Sequence, residues 1–311
     1  MTLAVVFPGQ GSQSVGMLAA LAADYPEVEA TFAEASAVLG YDLWQLVQTG
    51  PEVQLNATER TQPAMLAAGV AVWRVWTRAG APAPAWMAGH SLGEFTALVC
   101  AGALSFPDAV AAVQFRGRVM QAAVPAGVGA MAAILGLEDG DVEAACAEAA
   151  QGEVVEPVNY NAPGQLVIAG HAAAVGRALE AAKARGAKRA LLLPVSVPAH
   201  SSLLLGAAAQ LATYLADVHV QTPQIPVYAM GLGRHDSPQA VRAQLVAQLA
   251  GAVRWTDTVR DLLAHGATRI VECGPGKVLT ALNRRIERNK DIAMSAIEDP
   301  ASLAAAVQWG A

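Results

Sequence analysis

The pentapeptide Gly89-His90-Ser91-Leu92-Gly93 places a serine between two glycines, with the apolar segment PAWMAG leading into it. That segment has the length of a short buried strand. The residues that follow, LGEFTALVCAGAL, have helical spacing and carry Glu94 in the first turn, where the helix dipole favours an acid. A strand, a tight turn and a helix in this order are typical of a nucleophile elbow, which exposes a serine hydroxyl at the end of a sheet. The stretch therefore predicts an α/β fold and makes Ser91 a candidate nucleophile.

A second pattern begins near Gly127 and consists of a strand, a helix, two strands, a helix and a strand. Six elements in this order within about 70 residues are typical of a ferredoxin-like unit. We therefore expect a large catalytic domain formed by residues 1–126 and 196–311, interrupted by a small ferredoxin-like (βαββαβ) subdomain at residues 127–195. The large domain should resume with a helix over Ser201–Val218.

Composition excludes several classes of protein. The 311 residues are 54% hydrophobic and 15% charged, which indicates a compact globular chain. A net charge of −6 would repel nucleic acid. The longest apolar run, Ala64–Trp73, is about half of the ~20 residues that a membrane span needs. The start MTLAVVF indicates a first strand and not a signal peptide. We expect a cytoplasmic protein without a nucleic-acid or membrane partner.

The three cysteines are widely spaced and have no metal-ligand pattern. An odd number of such cysteines favours reduced thiols over disulfides or zinc. Their positions are Cys100, Cys146 and Cys273.

A serine nucleophile needs a base, and the six histidines are the candidates. His200 lies in LPVSVPAHSSLL, after two prolines that stiffen the chain and just ahead of a helix. It is either the base or simply a polar residue before a helix that Ser201 begins. The other histidines are expected to be structural or exposed: His90 should point away from the pocket, His171 should open a helix, and His219, His235 and His265 should lie at the surface.

An oxyanion site requires two backbone N–H groups. The amide of Leu92, just after the nucleophile, is one candidate. The second is expected in the glycine-rich loop FPGQGSQ, at Gln10. The alternative, a dinucleotide loop, requires a third glycine where Ser14 stands, and CGPGKVLT lacks the spacing of a P-loop, so nucleotide binding is not expected.

Seven motifs in one order resemble those of the malonyl-CoA:acyl carrier protein transacylases of fatty acid synthesis. The similarity spans essentially the whole chain and implies an α/β-hydrolase-like large domain with the inserted small subdomain. The motifs are FPGQGSQ, TQPA (61–64), GHSLGE (89–94), RGRVMQ (116–121), NAPGQLVIAG (161–170), PVSVPAHS (194–201) and ECGPGKVL (272–279).

The resemblance also implies roles for single residues. Ser91 corresponds to the nucleophile, His200 to the base, and Gln10 and Leu92 to the oxyanion amides. Arg116 corresponds to the arginine that pairs with the malonate carboxylate, as a guanidinium fork does well. Without the resemblance, Arg116 would be read as a helix-surface residue beside Arg118. Two further correspondences are Gln248, whose main-chain carbonyl would orient the histidine, and the pocket residue Asn161.

The activity implied is transfer of a malonyl group from malonyl-CoA to the phosphopantetheine thiol of a holo acyl carrier protein, through a malonyl-serine. Malonyl-CoA is then a substrate, no cofactor or metal is expected, and a monomer is implied. The basic stretches 183–189 and 283–290 are either a docking patch for the acidic carrier or solvated helix faces. A thioesterase, a transferase of polyketide synthesis or malonate decarboxylation, and an inactive carrier-binding module are the alternatives.

Overall fold

The structure is a computed structural model that describes residues 2–125, 127–195, 197–230 and 233–308. It is a mixed α/β fold with a parallel sheet and a separate antiparallel sheet. The predicted domain boundaries at residues 126 and 196, and the predicted outer ends at residues 1 and 309–311, lie outside the described residues. The division into two domains therefore stays a prediction.

Every strand of the described residues belongs to one of these two sheets. In chain order the strands are β1 Thr2–Phe7, β2 Trp86–Gly89, β3 Gly129–Leu135, β4 Val155–Ala162, β5 Gln165–His171, β6 Arg189–Leu192, β7 Val227–Tyr228, β8 Ala267–Cys273 and β9 Ala293–Ile297.

The helices of the described residues follow in the same order. They are α1 Ala19–Asp24, α2 Glu27–Leu39, α3 Leu43–Thr49, α4 Glu52–Leu55, α5 Thr58–Arg78, α6 Gly93–Cys100, α7 Phe106–Ala123, α8 Asp139–Ala150, α9 Ala172–Ala184, α10 Leu205–Ala216, α11 Pro238–Ala247, α12 Trp255–Ala264, α13 Val278–Ile286 and α14 Pro300–Val307.

The parallel sheet has the strand order β7-β2-β1-β8-β9, and each neighbouring pair runs parallel. Leu3, Val5 and Phe7 of the central strand β1 belong to a core with α2, α5, α6 and α7. Ala4 and Val6 belong to the core on the other face, with α12 and α13. Because helices cover both faces, both faces must be apolar. This is why LAVVF is a continuous apolar run and does not alternate with polar residues.

The antiparallel sheet has the order β4-β5-β3-β6. Helices α8 and α9 cover one face, where Ile134 and Ile168 are buried. On the other face, Met131 and Val167 pack with Leu193 and Val195, just beyond β6. The elements from β3 to β6 follow the predicted order of strands and helices. All three cysteines are free thiols, as expected.

The predicted helix over Ser201–Val218 is wrong at its start. The chain makes a 3-10 turn at Ser202–Leu204, and the α-helix begins only at Leu205. The backbone N–H and hydroxyl of Ser202 instead donate to the carboxylate of Glu156 on β4, at 2.8 and 2.7 Å. This tertiary contact bonds the turn just after His200 to β4, so the turn does not form part of the α-helix.

The carboxyl ends of the central strands lie side by side. Phe7 pairs in register with Gly89, and the amide of His90 donates to the carbonyl of Phe7. The loop that contains Gln10 and the turn at Ser91 therefore leave the sheet at the same edge. Ligand sites of open α/β sheets lie at this edge.

Candidate active site

Ser91 lies between the end of β2 and the start of α6, with a φ of 51° in the left-handed region. A Cβ atom at Gly89 would lie 1.9 Å from the carbonyl carbon of Gly93. One at Gly93 would lie 2.1 Å from the carbonyl oxygen of Phe7. Only glycine fits at these positions, because the turn approaches both α6 and β1 too closely for a side chain. The predicted strand, tight turn and helix around Ser91 are confirmed.

The hydroxyl of Ser91 meets His200, which lies 109 residues further along the chain. Its Oγ is 2.7 Å from Nε2 of the imidazole. Nδ1 of the same ring is 2.6 Å from the main-chain oxygen of Gln248. A carbonyl oxygen can only accept, so Nδ1 carries the proton and the lone pair of Nε2 faces the hydroxyl. His200 is therefore oriented to receive the proton of Ser91.

The protonation state of His200 suits this geometry. Burial, followed by the positive charge of Arg116, lowers the pKa of His200 to about 3. The side chain is only 5% exposed. At neutral pH the imidazole is therefore neutral, and its lone pair is free to accept a proton.

Arg116, in the middle of α7, is 1% exposed. Its Nη1 donates to Oε1 of Gln62 at 2.8 Å. Its Nη2 donates to Oε1 of Gln248 at 2.9 Å and to Oγ of Ser91 at 3.3 Å. Burial lowers the pKa of Arg116 to about 10, so the guanidinium stays charged at neutral pH. The alternative of a helix-surface arginine is excluded, whereas Arg118 is exposed.

Ser91, Arg116 and His200 line a cavity of about 440 Å³ at the edge of the parallel sheet. The antiparallel sheet supplies much of the opposite wall. Its contributions from β3, β4 and β5 are Met131, Ala133, Asn159, Asn161, Gln165 and Val167. The cavity therefore lies between the two sheets.

The other predicted site residues also line this cavity, but they differ in exposure and in hydrogen-bond partners. Leu92 is 1% exposed and begins the helix after Ser91. Gln10 is exposed, and its amide nitrogen is 3.5 Å from Oγ1 of Thr58. Oδ1 of Asn161 is 2.9 Å from Nε2 of His90. All the residues predicted from the sequence, including Gln248 through its carbonyl, thus converge on one site.

Two expectations about histidines are wrong. His90 does not point away from the pocket, because it lines the cavity, bonds to Asn161 and packs beside Trp255. His235 is not at the surface, because it is 3% exposed and its Nε2 lies 2.5 Å from Oε1 of Glu94. In both cases the packing of distant elements, and not the local sequence, sets the position of the ring.

The remaining histidines lie largely as expected. His219 and His265 are exposed. His171 precedes α9, and its Nδ1 accepts the backbone N–H of Val154 at 2.9 Å.

Sequence reasoning does not place Glu94, His235 or Gln62 in the site. Glu94 is 1% exposed and Gln62 is also 1% exposed. In the sequence, Glu94 is only an acid in a first helical turn, and such residues are usually solvated. Its position directly after the elbow, as the last residue of the motif GHSLGE (89–94), is the signal that could have placed it in the site. Gln62 belongs to the motif TQPA (61–64), which is the signal that could have placed it in the site, whereas no motif contains His235.

Within the described part of the chain, no helix is long and apolar enough to cross a membrane. The same residues contain no group of three or more His, Cys, Asp or Glu side chains placed to hold a metal ion.

Comparison with known proteins gives a consistent result. The model of the acyl transferase domain family matches residues 4–298. The chain is 56% identical over 306 residues to the malonyl CoA-acyl carrier protein transacylase of Escherichia coli (strain K12), covering 98% of each chain. The crystal structure of an acyl carrier protein S-malonyltransferase from Vibrio cholerae is similar, with a TM-score of 0.94, 56% identity, and coverage of 98% of this chain and 99% of that one. A malonyl-transacylase solved in complex with a type II PKS acyl-carrier protein has a TM-score of 0.96 and 53% identity, covering 99% of each.

Proposed function

Because the chain belongs to the acyl transferase domain family and to its malonyl CoA-acyl carrier protein transacylases, we propose that it makes a malonyl ester at Ser91. The protein is an acyltransferase. The malonyl group comes from malonyl-CoA and passes to the phosphopantetheine thiol of a holo acyl carrier protein. This ping-pong transfer supplies type II fatty acid synthesis.

In the first half-reaction, Nε2 of His200 takes the proton of the Ser91 hydroxyl as Oγ attacks the thioester carbonyl. The 2.7 Å contact supports this step. The negative charge on the carbonyl oxygen is stabilised by the backbone N–H groups of Leu92 and Gln10. The C–S bond then breaks, and the coenzyme A sulfur leaves with the proton from His200. Ser91 is left as the malonyl ester.

In the second half-reaction, the carrier thiol gives its proton to His200 and attacks the ester carbonyl. The C–O bond to Ser91 breaks, and Oγ recovers the proton from His200. The hydrogen bond from Nδ1 to Gln248 keeps the ring in one tautomer in both directions. No further reactant is needed to balance either step.

The observation that carries the proposal is the buried charge of Arg116. Both terminal nitrogens bond neutral side-chain oxygens, and Nη2 is 3.3 Å from the nucleophile. A charge in so dry a setting is most stable with an anionic partner. The free carboxylate of a malonyl group on Ser91 is such a partner, and a guanidinium binds it bidentately.

We further propose an α/β-hydrolase-like large domain formed by residues 1–126 and 196–311, with a ferredoxin-like subdomain at residues 127–195. The sheet order β4-β5-β3-β6 supports the second assignment. The protein is proposed to act as a cytoplasmic monomer without a cofactor. For carrier docking we favour the exposed Lys188 and Arg189, because the segment that follows them reaches the cavity at Leu193.

The test is intact-protein mass spectrometry after brief mixing with malonyl-CoA. Wild type should gain one malonyl group, and Ser91→Ala should gain none. Adding holo carrier should move the group to the carrier, whereas apo carrier, which lacks the thiol, should leave it on the enzyme. A carrier of fatty acid synthesis and one of polyketide synthesis, run in parallel, separate the two pathways.

Two results would contradict the proposal. An adduct that persists in Ser91→Ala would place the nucleophile elsewhere. Loss of the adduct to free malonate at the same rate with and without holo carrier would indicate a thioesterase.

A further inference from the structure

A row of buried polar side chains leads from Arg116 away from the cavity. It consists of Gln248, Glu94 and His235, which are 2%, 1% and 3% exposed. Each is joined to the next by a hydrogen bond. Polar groups at this depth are costly unless they bond one another, so the row must be a connected network.

The network has a defined direction. Arg116 has only donors, so Oε1 of Gln248 must face its Nη2, at 2.9 Å. Nε2 of Gln248 then donates to Oε2 of Glu94 at 3.0 Å. A carboxylate only accepts, and so it holds the amide in this orientation, together with the longer bond from the same nitrogen to the main-chain oxygen of Ser91 at 3.4 Å. If the amide rotated by half a turn, its NH₂ group would face the guanidinium, donor against donor.

His235 completes the network from a third element. It follows β7 in the chain, and its backbone N–H donates to the carbonyl of Val227 at 3.0 Å. Its Nε2 lies 2.5 Å from Oε1 of Glu94, the oxygen that Gln248 does not use. The imidazole therefore fixes the carboxylate plane and directs Oε2 toward Gln248.

Gln248 connects this network to both halves of the reaction. Its side chain orients Arg116, which would hold the malonyl carboxylate. Its main-chain oxygen orients His200. A rotation of the amide affects the first contact and leaves the second in place, because the carbonyl belongs to the backbone. Loss of the network should therefore impair recognition of the carboxylate more than proton transfer.

We propose that His235 is a positioning residue for acyl-group selectivity, acting through Glu94 and Gln248 on the guanidinium of Arg116. This inference rests on the proposed function, since it assumes a donor with a free carboxylate. His235 is not among the residues that line the cavity, and its side-chain hydrogen bond goes to Glu94. Its effect therefore passes through the two side chains between it and Arg116.

The experiment compares kcat and KM for malonyl-CoA and acetyl-CoA loading in His235→Leu and His235→Gln. Leucine removes the donor to Glu94, and the ratio of malonyl to acetyl kcat/KM should fall about tenfold, mainly through the KM for malonyl-CoA. Glutamine keeps an N–H donor and should restore the ratio to within about threefold of wild type. His171→Leu, the same change at a histidine on the antiparallel sheet, should leave the ratio unchanged.

A double-mutant cycle separates positioning from general damage. In an Arg116→Ala background the target of the network is gone, so His235→Leu should not lower the ratio further. Glu94→Gln provides a second variant if His235→Leu does not fold. It keeps the shape but removes the charge-assisted bond, and the ratio should fall about fivefold.

An unchanged ratio in folded His235→Leu, or an equal drop in the ratio with and without Arg116, would overturn the inference. Neither result affects the proposed function, which is tested separately by malonyl loading of Ser91 in wild type and by transfer of the malonyl group to holo carrier. Wild-type loading, measured in the same series, tells the two failures apart.

Discussion

Arg116 combines a positive charge with almost complete burial, and its hydrogen-bond partners are neutral side chains. Arg116→Ala should slow malonyl loading about a hundred- to a few thousand-fold, because removing one member of a buried ion pair costs about 3–5 kcal/mol. Acetyl loading should change less than about tenfold, since acetyl has no carboxylate to pair. Rapid-quench mass spectrometry of the enzyme adduct measures both rates.

Arg118→Ala is the matched control for that prediction. It lies two residues along the same helix but is exposed. An equal loss of malonyl loading in both variants would mean that α7 as a whole, and not the buried guanidinium, is responsible.

His200 is the residue that should set the acid limb of the pH–rate profile. Its pKa is lowered to about 3, by burial first and by Arg116 second. The base therefore stays unprotonated as the pH falls through 6.5, the ordinary value of histidine. The rate of Ser91 acylation by malonyl-CoA should be nearly flat between pH 8 and pH 5.5. A midpoint near 6.5 in kcat/KM would contradict this assignment of the base.

The elbow is the element whose geometry depends most on glycine. Gly93→Ala should prevent stable folding or cost more than about 3 kcal/mol, because the new Cβ would lie 2.1 Å from the carbonyl oxygen of Phe7. Gly176→Ala, in the interior of α9 with open space around it, should stabilise the protein by about 1 kcal/mol. Urea denaturation of both variants tests the contrast. Equal changes in the free energy of unfolding in the two variants would show that the turn at Ser91 can relax to accept the new Cβ.

The parallel-sheet strands show why single elements are only partly predictable. The run LAVVF and the elbow can be identified because their apolar character is local. The predicted start of α10 is wrong because Glu156, some 46 residues earlier in the chain, bonds Ser202. Local periodicity does not contain that contact.

At the scale of the whole molecule, buried neutral histidines should make stability depend on pH. Burial lowers the pKa of His200 and of His90 below 6.5. Above pH 6.5 both the folded and unfolded states are neutral at these sites, and the full stability is present. As the pH falls below 6.5 the unfolded chain binds protons that the folded protein does not. This stabilises the unfolded state relative to the folded one, so the free energy of unfolding falls.

For His200 alone, the free energy of unfolding should fall by about 2 kcal/mol between pH 7 and pH 5. Chemical denaturation at a series of pH values measures this. His200→Gln should have a shallower dependence over the same range, since it removes one of the groups that titrate. A wild-type stability that rises as the pH falls from 7 to 5 would have the opposite sign and would exclude the mechanism.

The chemistry available to this protein can be predicted from its amino-acid sequence alone. The elbow around Ser91, the order of strands and helices from β3 to β6, and the motifs that contain His200 and Arg116 are all local patterns. They could be identified because glycine, serine, histidine and arginine in those settings have specific conformational and chemical properties. The resemblance carried by seven such motifs led to the right family.

Which of these groups meet, and which are buried, depends on how distant parts of the chain pack together. Ser91, His200 and Gln248 come from three separate parts of the chain, and their distances follow from how the two sheets pack. Glu94 and His235 look like surface residues in the sequence, yet they are buried against each other. A charged residue is buried only when distant elements supply its partners, and local sequence does not specify those partners.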